Sequence, residues 1–176
     1  FSIAGGYLNN AYGNQSFIGG GTGNITSGFN SSILAGASNK AIGNNASVVG
    51  GFLNIASGNQ TIIGGGAYNN TSGLYSSILG GYKNSAVTNY TSVLGGYQNL
   101  AKGNQSVVVG GQNNKTYNNQ GFVGNGQNNL AYGLKSFIGN GQSNSAITNY
   151  SIVVGGRFNY SNSPYSFIGG GSYNSA

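Results

Sequence analysis

Apolar and polar positions along this chain recur every 15 residues, without one insertion or deletion. Eleven full units begin at Phe1, Ser16, Ser31, Ala46, Thr61, Ser76, Thr91, Ser106, Gly121, Ser136 and Ser151, and a partial twelfth runs from Ser166 to Ala176. The place of a residue within its unit is its register, numbered 1 to 15. Register 3 is always Ile or Val: Ile3, Ile18, Ile33, Val48, Ile63, Ile78, Val93, Val108, Val123, Ile138, Val153 and Ile168. Register 6 is Gly in every unit, from Gly6 to Gly171. Register 9 is always Asn: Asn9, Asn24, Asn39, Asn54, Asn69, Asn84, Asn99, Asn114, Asn129, Asn144, Asn159 and Asn174. Register 11 is Ala in eight units and Thr26, Thr71, Thr116 or Ser161 in the rest.

A short strict period means stacked, near-identical coils. β-Branched residues at register 3, followed by Gly at registers 5 and 6, predict a strand and then a turn. A helix is excluded, because Gly and Asn are poor helix formers and no 3.6-residue period appears. The expected fold is all-β: one parallel β-solenoid domain over residues 1–176, built of twelve 15-residue coils. Each coil would hold a strand at registers 1 to 4 and a shorter one near registers 10 to 12. Coils about 4.8 Å apart would make a rod roughly 55 Å long.

Stacking turns each register into a column. The Asn column reads as an amide ladder in which each side chain bonds the coils above and below. The competing reading is that Asn only tolerates a left-handed turn there. Unbroken occupancy favours the ladder, since Gly substitutes freely in turns. The Gly column marks a positive-φ corner or a close backbone approach.

Registers 2 and 4 compensate each other. A large register 2 goes with Gly at register 4, as in Phe17/Gly19, Ile62/Gly64, Phe122/Gly124, Phe137/Gly139 and Phe167/Gly169. Ser at register 2 goes with an apolar register 4, as in Ser2/Ala4, Ser32/Leu34, Ser47/Val49, Ser77/Leu79 and Ser92/Leu94. Val107/Val109 and Ile152/Val154 depart from the rule. Both registers lie on one strand face, and trading volume between neighbours is what a tightly packed layer demands. Register 3 points the other way and is equally apolar. Both faces therefore call for burial, and a thin coil has only one inside. The other face calls for a partner, most simply another copy of the chain. The pattern does not say which face is inside.

The cations Lys40, Lys83, Lys102, Lys115, Lys135 and Arg157 all fall in registers 7 to 15, as do all 13 Tyr. Asp, Glu, His and Cys are absent, and the net charge is +6. No carboxylate exists for acid/base work or for holding Ca²⁺, and no His or Cys for Zn²⁺. The expectation is a chain that is no enzyme and takes no cofactor or metal. A lyase working through Tyr, Lys and Arg alone would still lack an orienting acid or base. The scattered cations form no stripe for nucleic acid and read as solubilising residues on a β surface. No apolar run approaches the ~18 residues of a membrane span.

The unit S-x-[IV]-x-G-G-x-x-N-x-A-x-G, as in Ser106-Val107-Val108-Val109-Gly110-Gly111, resembles the head repeats of trimeric autotransporter adhesins. It is also similar to Gly-rich repeats of bacterial surface and phage tail-fibre proteins. The match lies in registers 1 to 5, as in Ser136 to Asn140, and in the register 11 Ala with the register 13 Gly, such as Ala131 and Gly133. The resemblance implies a left-handed parallel β-roll, a homotrimer, and a cell or virion surface. The 15-residue unit is longer than the usual 14 or so, and no neck, stalk or anchor accompanies it.

Neither end shows a cap, and an open solenoid edge recruits further strands. Head-to-tail stacking into a filament is one expectation, and a fragment that has lost its caps is the other. The leading functional expectation is an extracellular structural or adhesive fibre that self-associates through registers 1 to 4, with cell-surface or matrix glycans as further partners. A viral or phage fibre shaft, an ice-binding solenoid and a functional amyloid are the alternatives. Ice binding is disfavoured because no register is dominated by Thr.

The motif N-x-[ST] occurs twelve times. Asn14, Asn59, Asn89, Asn104 and Asn149 share register 14, an expected exposed turn, and are the candidate glycosylation sites. If the source glycosylates its secreted proteins, the native chain weighs more than its 17.8 kDa; an intact mass equal to the bare chain rules this out. A second expectation follows from the missing carboxylates. Acid unfolding comes mostly from protonating native carboxylates, so the β signal in circular dichroism should persist at about pH 2. Its loss there would refute this.

Overall fold

Each 15-residue unit closes one coil in the computed structural model, which describes all of Phe1–Ala176. The first strand of a coil occupies registers 2 and 3, from β1 (Ser2–Ile3) and β3 (Phe17–Ile18) to β23 (Phe167–Ile168). The second occupies registers 10 and 11, from β2 (Asn10–Ala11) to β22 (Tyr160–Ser161). The odd-numbered strands form a 12-stranded parallel sheet and the even-numbered ones an 11-stranded sheet. Pairing steps by one unit everywhere, so Ile3 lies beside Ile18 and Asn70 beside Ser85. The protein is thus an all-β parallel solenoid. A third line of parallel bridges runs down register 7, from Tyr7–Thr22 to Arg157–Ser172. It is one residue wide, set between two corners, so no apolar alternation announces it.

Register 3 faces inward. From Ile18 to Val153 these side chains are at most 1% exposed; Ile3, with a coil on one side only, is 45% exposed. Register 11 faces them across the coil, and its Ala residues from Ala41 to Ala146 are fully buried. The core is therefore a single file of Ile or Val against Ala. Register 1 closes it at the passage to the next coil. The hydroxyls of Ser31, Thr61 and Ser136 donate to the carbonyls of Gly28, Gly58 and Gly133 at 2.7–2.8 Å. Thr116 Oγ1, inside the core, donates to Ser106 Oγ at 2.9 Å.

Most of the 114 backbone hydrogen bonds join successive coils, in ladders along the two sheets and the register 7 line, and the corners add the rest. N–H groups at registers 2, 4, 7, 10 and 12 donate to the next coil, as Ser32 does to Ala46 and Leu34 to Val48. Registers 8 and 15 take left-handed conformations even where the residue is Leu, Tyr or Gln, with φ of 53° at Leu53, 58° at Tyr68 and 56° at Tyr75 and Gln60. A left-handed non-Gly residue costs about 1–2 kcal/mol. Here it turns the N–H around to donate to the preceding coil, from Tyr68 to Phe52 at 3.0 Å and from Gln60 to Asn44 at 2.8 Å. A bond that would otherwise be missing in a crowded corner offsets the strain.

The register 9 Asn completes the other corner. Its backbone N–H donates to the Oδ1 of the Asn one coil earlier, at 2.9–3.1 Å from Asn24 to Asn174. Its Nδ2 donates to the register 5 carbonyl of its own coil and to the register 6 carbonyl of the next; for Asn84 these are Gly80 at 3.0 Å and Gly96 at 2.9 Å. Nδ2 also reaches the preceding Oδ1 at four steps, as from Asn69 to Asn54 at 3.1 Å. The left-handed residue is register 8, so φ does not account for Asn at register 9. Gly at register 6 answers the same corner. Its φ is +82° to +109°, and a Cβ there would overlap the next Gly carbonyl and lie 2.5–2.8 Å from the Asn Nδ2.

Asn84→Asp keeps the shape but removes both donors and buries a charge. We expect a loss of about 3–5 kcal/mol, read as a lowered denaturation midpoint. Asn89→Ala at exposed register 14 is expected to lose about 1 kcal/mol or less. Equal losses would contradict the corner assignment.

Candidate functional site

Registers 2 and 4 project from the outer side of the 12-stranded sheet. This settles which strand face is inside: register 3 fills the core, and the layer expected to be dry at registers 2 and 4 is open in the single chain. Phe17, Leu34, Val49, Ile62, Leu79, Leu94, Val109, Phe137, Val154 and Phe167 are 37–63% exposed. Val107, Phe122 and Ile152 are half-buried among them. Every coil from the second onward contributes at least one large apolar side chain to this face.

The volume exchange has a geometric cause. The phenyl groups of Phe17, Phe122, Phe137 and Phe167 lie over their own register 4 glycines, with ring Cε1 3.4–3.5 Å from where a Cβ would sit. At Gly19, Gly64, Gly124 and Gly139 a Cβ would also run into the register 4 carbonyl of the next coil. Where register 2 is Ser, the hydroxyls pair along the column instead, Ser32 with Ser47 at 3.1 Å and Ser77 with Ser92 at 3.0 Å, and Leu or Val rises from register 4. Phe122 and Phe137 stack with centroids 5.1 Å apart and planes within 4°. The outcome is a strip of apolar groups at one coil spacing, with no charged group in it.

The cations sit elsewhere, and four of the six rest on aromatic rings. Lys83 Nζ is 5.2 Å from the Tyr82 ring centre, Lys102 Nζ 5.6 Å from Tyr117, Lys135 Nζ 5.6 Å from Tyr150, and the Arg157 guanidinium 5.6 Å from Phe158. The Tyr residues stack in columns, Tyr82 on Tyr97 and Tyr75 on Tyr90 at 5.4 and 5.2 Å. The 15-residue recurrence of Tyr is the signal that foretells such stacks.

The register 14 residues Asn14, Asn59, Asn89, Asn104 and Asn149 are exposed. Several have a structural task that reading them as sequons misses. Oδ1 of Asn59, Asn89 and Asn149 accepts the N–H of register 14 in the preceding coil, Asn44, Leu74 and Leu134, at 2.9–3.1 Å. This is a second, outer amide ladder that leaves Nδ2 pointing to no protein partner. Its sequence signal is weak because Phe29, Leu74 and Leu134 interrupt the column.

The fold and this face together define a parallel β-solenoid repeat protein with one uncharged apolar side. Comparison of the chain with protein-family models and with curated proteins returned no match.

Proposed function

We propose that the chain is a subunit of an extracellular structural or adhesive fibre, assembled from copies of itself through the register 2 and 4 face. The observation that carries the reading is the uninterrupted, uncharged apolar strip on a rigid rod. A strip roughly 55 Å long and 10 Å wide offers on the order of 550 Å² per copy. Two such faces would bury about 1,100 Å², just above the roughly 1,000 Å² that a biological interface should clear. A second copy is the occupant that fits best. It repeats the same coil spacing, so its side-chain rows interlock with these along the whole length. It also brings no charge to a face from which a +6 chain has kept all its cations. A threefold arrangement would follow the adhesin-head resemblance, and head-to-tail stacking would extend the rod into a filament. No helix is long and apolar enough to cross a membrane.

Sedimentation and electron microscopy of the purified chain test the reading. The expected result is rods or filaments with masses in multiples of 17.8 kDa. Leu79→Lys with Leu94→Lys is expected to give monomers with an unchanged β spectrum, because both side chains point outward. A wild-type chain that stays monomeric at all concentrations, or a double variant that assembles equally well, refutes it.

A further inference from the structure

A groove of about 360 Å³ runs along the rod between registers 12 and 15, from the eighth coil to the eleventh, away from the apolar strip. Tyr132, Tyr150 and Tyr165 line it together with Asn118, Asn149 and Pro164. We propose that it is a binding site for a neutral oligosaccharide.

Three features argue for this chemistry. The first is the aromatic surface. Tyr150 and Tyr165 stack face to face at 4.9 Å with planes within 5°, forming a rigid aromatic pair, and Tyr132 leans on Tyr117 at 5.7 Å. Tyr132 is 47% exposed and Tyr165 75%, so ring surface not used in these pairs is open to a ligand. A pyranose ring offers such surfaces a C–H face, and its hydroxyl edge then needs neutral donors and acceptors. The second feature supplies them. Asn118 spends Nδ2 on the Tyr132 carbonyl at 2.9 Å, which leaves its Oδ1 as an acceptor. Asn149 spends Oδ1 on the Leu134 N–H at 3.1 Å, which leaves Nδ2 as a donor. Pro164 takes the register 14 place in the next coil, where an Asn would accept the Asn149 backbone N–H, so that donor is left free as well. The third feature is rigidity. The two stacked Tyr residues are held in left-handed conformations, φ 60° and 61°, and their N–H groups are bonded to Leu134 and Asn149 at 2.8 and 3.1 Å. Little ordering is left to oppose binding.

Charge points away from the other stacking ligand, a nucleic acid. No cation lines the groove, and Lys135 lies over the Tyr150 ring rather than in a row that could follow phosphates. The site does not depend on self-assembly, since all the groups belong to one chain and none to registers 1 to 6.

The test is titration of the full chain with cellotriose, maltotriose, mannotriose and chitotriose, in high salt, followed by intrinsic Tyr fluorescence and calorimetry. Tyr150→Asn breaks the stacked pair while suiting the left-handed backbone, and Tyr90→Asn makes the same change in the register 15 stack that lines no groove. Saturable binding of at least one trisaccharide is expected. It should weaken tenfold or more in Tyr150→Asn and in Tyr132→Ala, and stay unchanged in Tyr90→Asn. The Leu79→Lys, Leu94→Lys chain should bind as well as the wild type, which separates this site from the assembly reading. No binding by any of the four, equal weakening in Tyr90→Asn, or groove binding by a single-stranded oligonucleotide in their place overturns the proposal.

Discussion

Between registers 5 and 9 the chain turns away from one sheet toward the register 7 bridges, and the turn strands a carbonyl and an N–H. The register 5 carbonyl and the register 9 N–H find no backbone partner in any neighbouring coil. Buried polar groups left this way cost about 1–3 kcal/mol each, and the cost repeats in every coil. The Asn side chain meets both needs: Nδ2 bonds the register 5 carbonyl and reaches the next coil, and Oδ1 receives the next N–H. Asp has no donors, Ser has one, and Gln is a methylene too long. The requirement to saturate this corner fixes Asn at register 9 and, through the space its amide fills, Gly at register 6. The spacing of the sheets and the position of the core follow from that corner.

The same strand then serves two surfaces. Its inner side places Ile or Val against Ala, or in every third coil against Thr or Ser, in a narrow file. Its outer side carries at least one large apolar group in every coil from the second onward, at register 2 where register 4 is Gly and at register 4 where register 2 is Ser. Because the inner side is closed by register 11 of the same coil, the outer side has no counterpart in the chain. A rod held together by hydrogen bonds between successive coils can keep that side apolar, since its fold does not require it to be covered. The polar registers are specialised as well. They carry the cations, the Tyr stacks and the groove, so assembly and recognition would occupy different sides of one rod.

The fold was legible because its columns are chemically exacting: a period of 15 residues, β-branched residues at register 3, and Gly and Asn without exception at registers 6 and 9. The left-handed registers 8 and 15 were not legible. They hold Leu, Tyr, Lys and Gln, since an inter-coil bond outweighs a preference for Gly, and only Gly23 and a few Asn residues hint at the conformation. The inner and outer faces could not be told apart from apolarity alone, because register 3 on one face and registers 2 and 4 together on the other both carry large apolar groups. The Ala at register 11 decides between them, and only the folded coil shows that it faces register 3. The groove lay further from reach, since it gathers Asn118, Tyr132, Asn149, Tyr150, Pro164 and Tyr165 from four coils and departs from the repeat at Pro164.

The saturated Asn corner is most directly tested by residue-resolved hydrogen exchange of the folded chain. The register 9 backbone amides from Asn24 to Asn159, which donate to side-chain oxygens rather than to a sheet, should exchange as slowly as those of Ile33, Val93 and Val123 in the core strand. Exchange of the Asn amides at the rate of exposed loop amides, while the strand amides remain protected, would contradict the account.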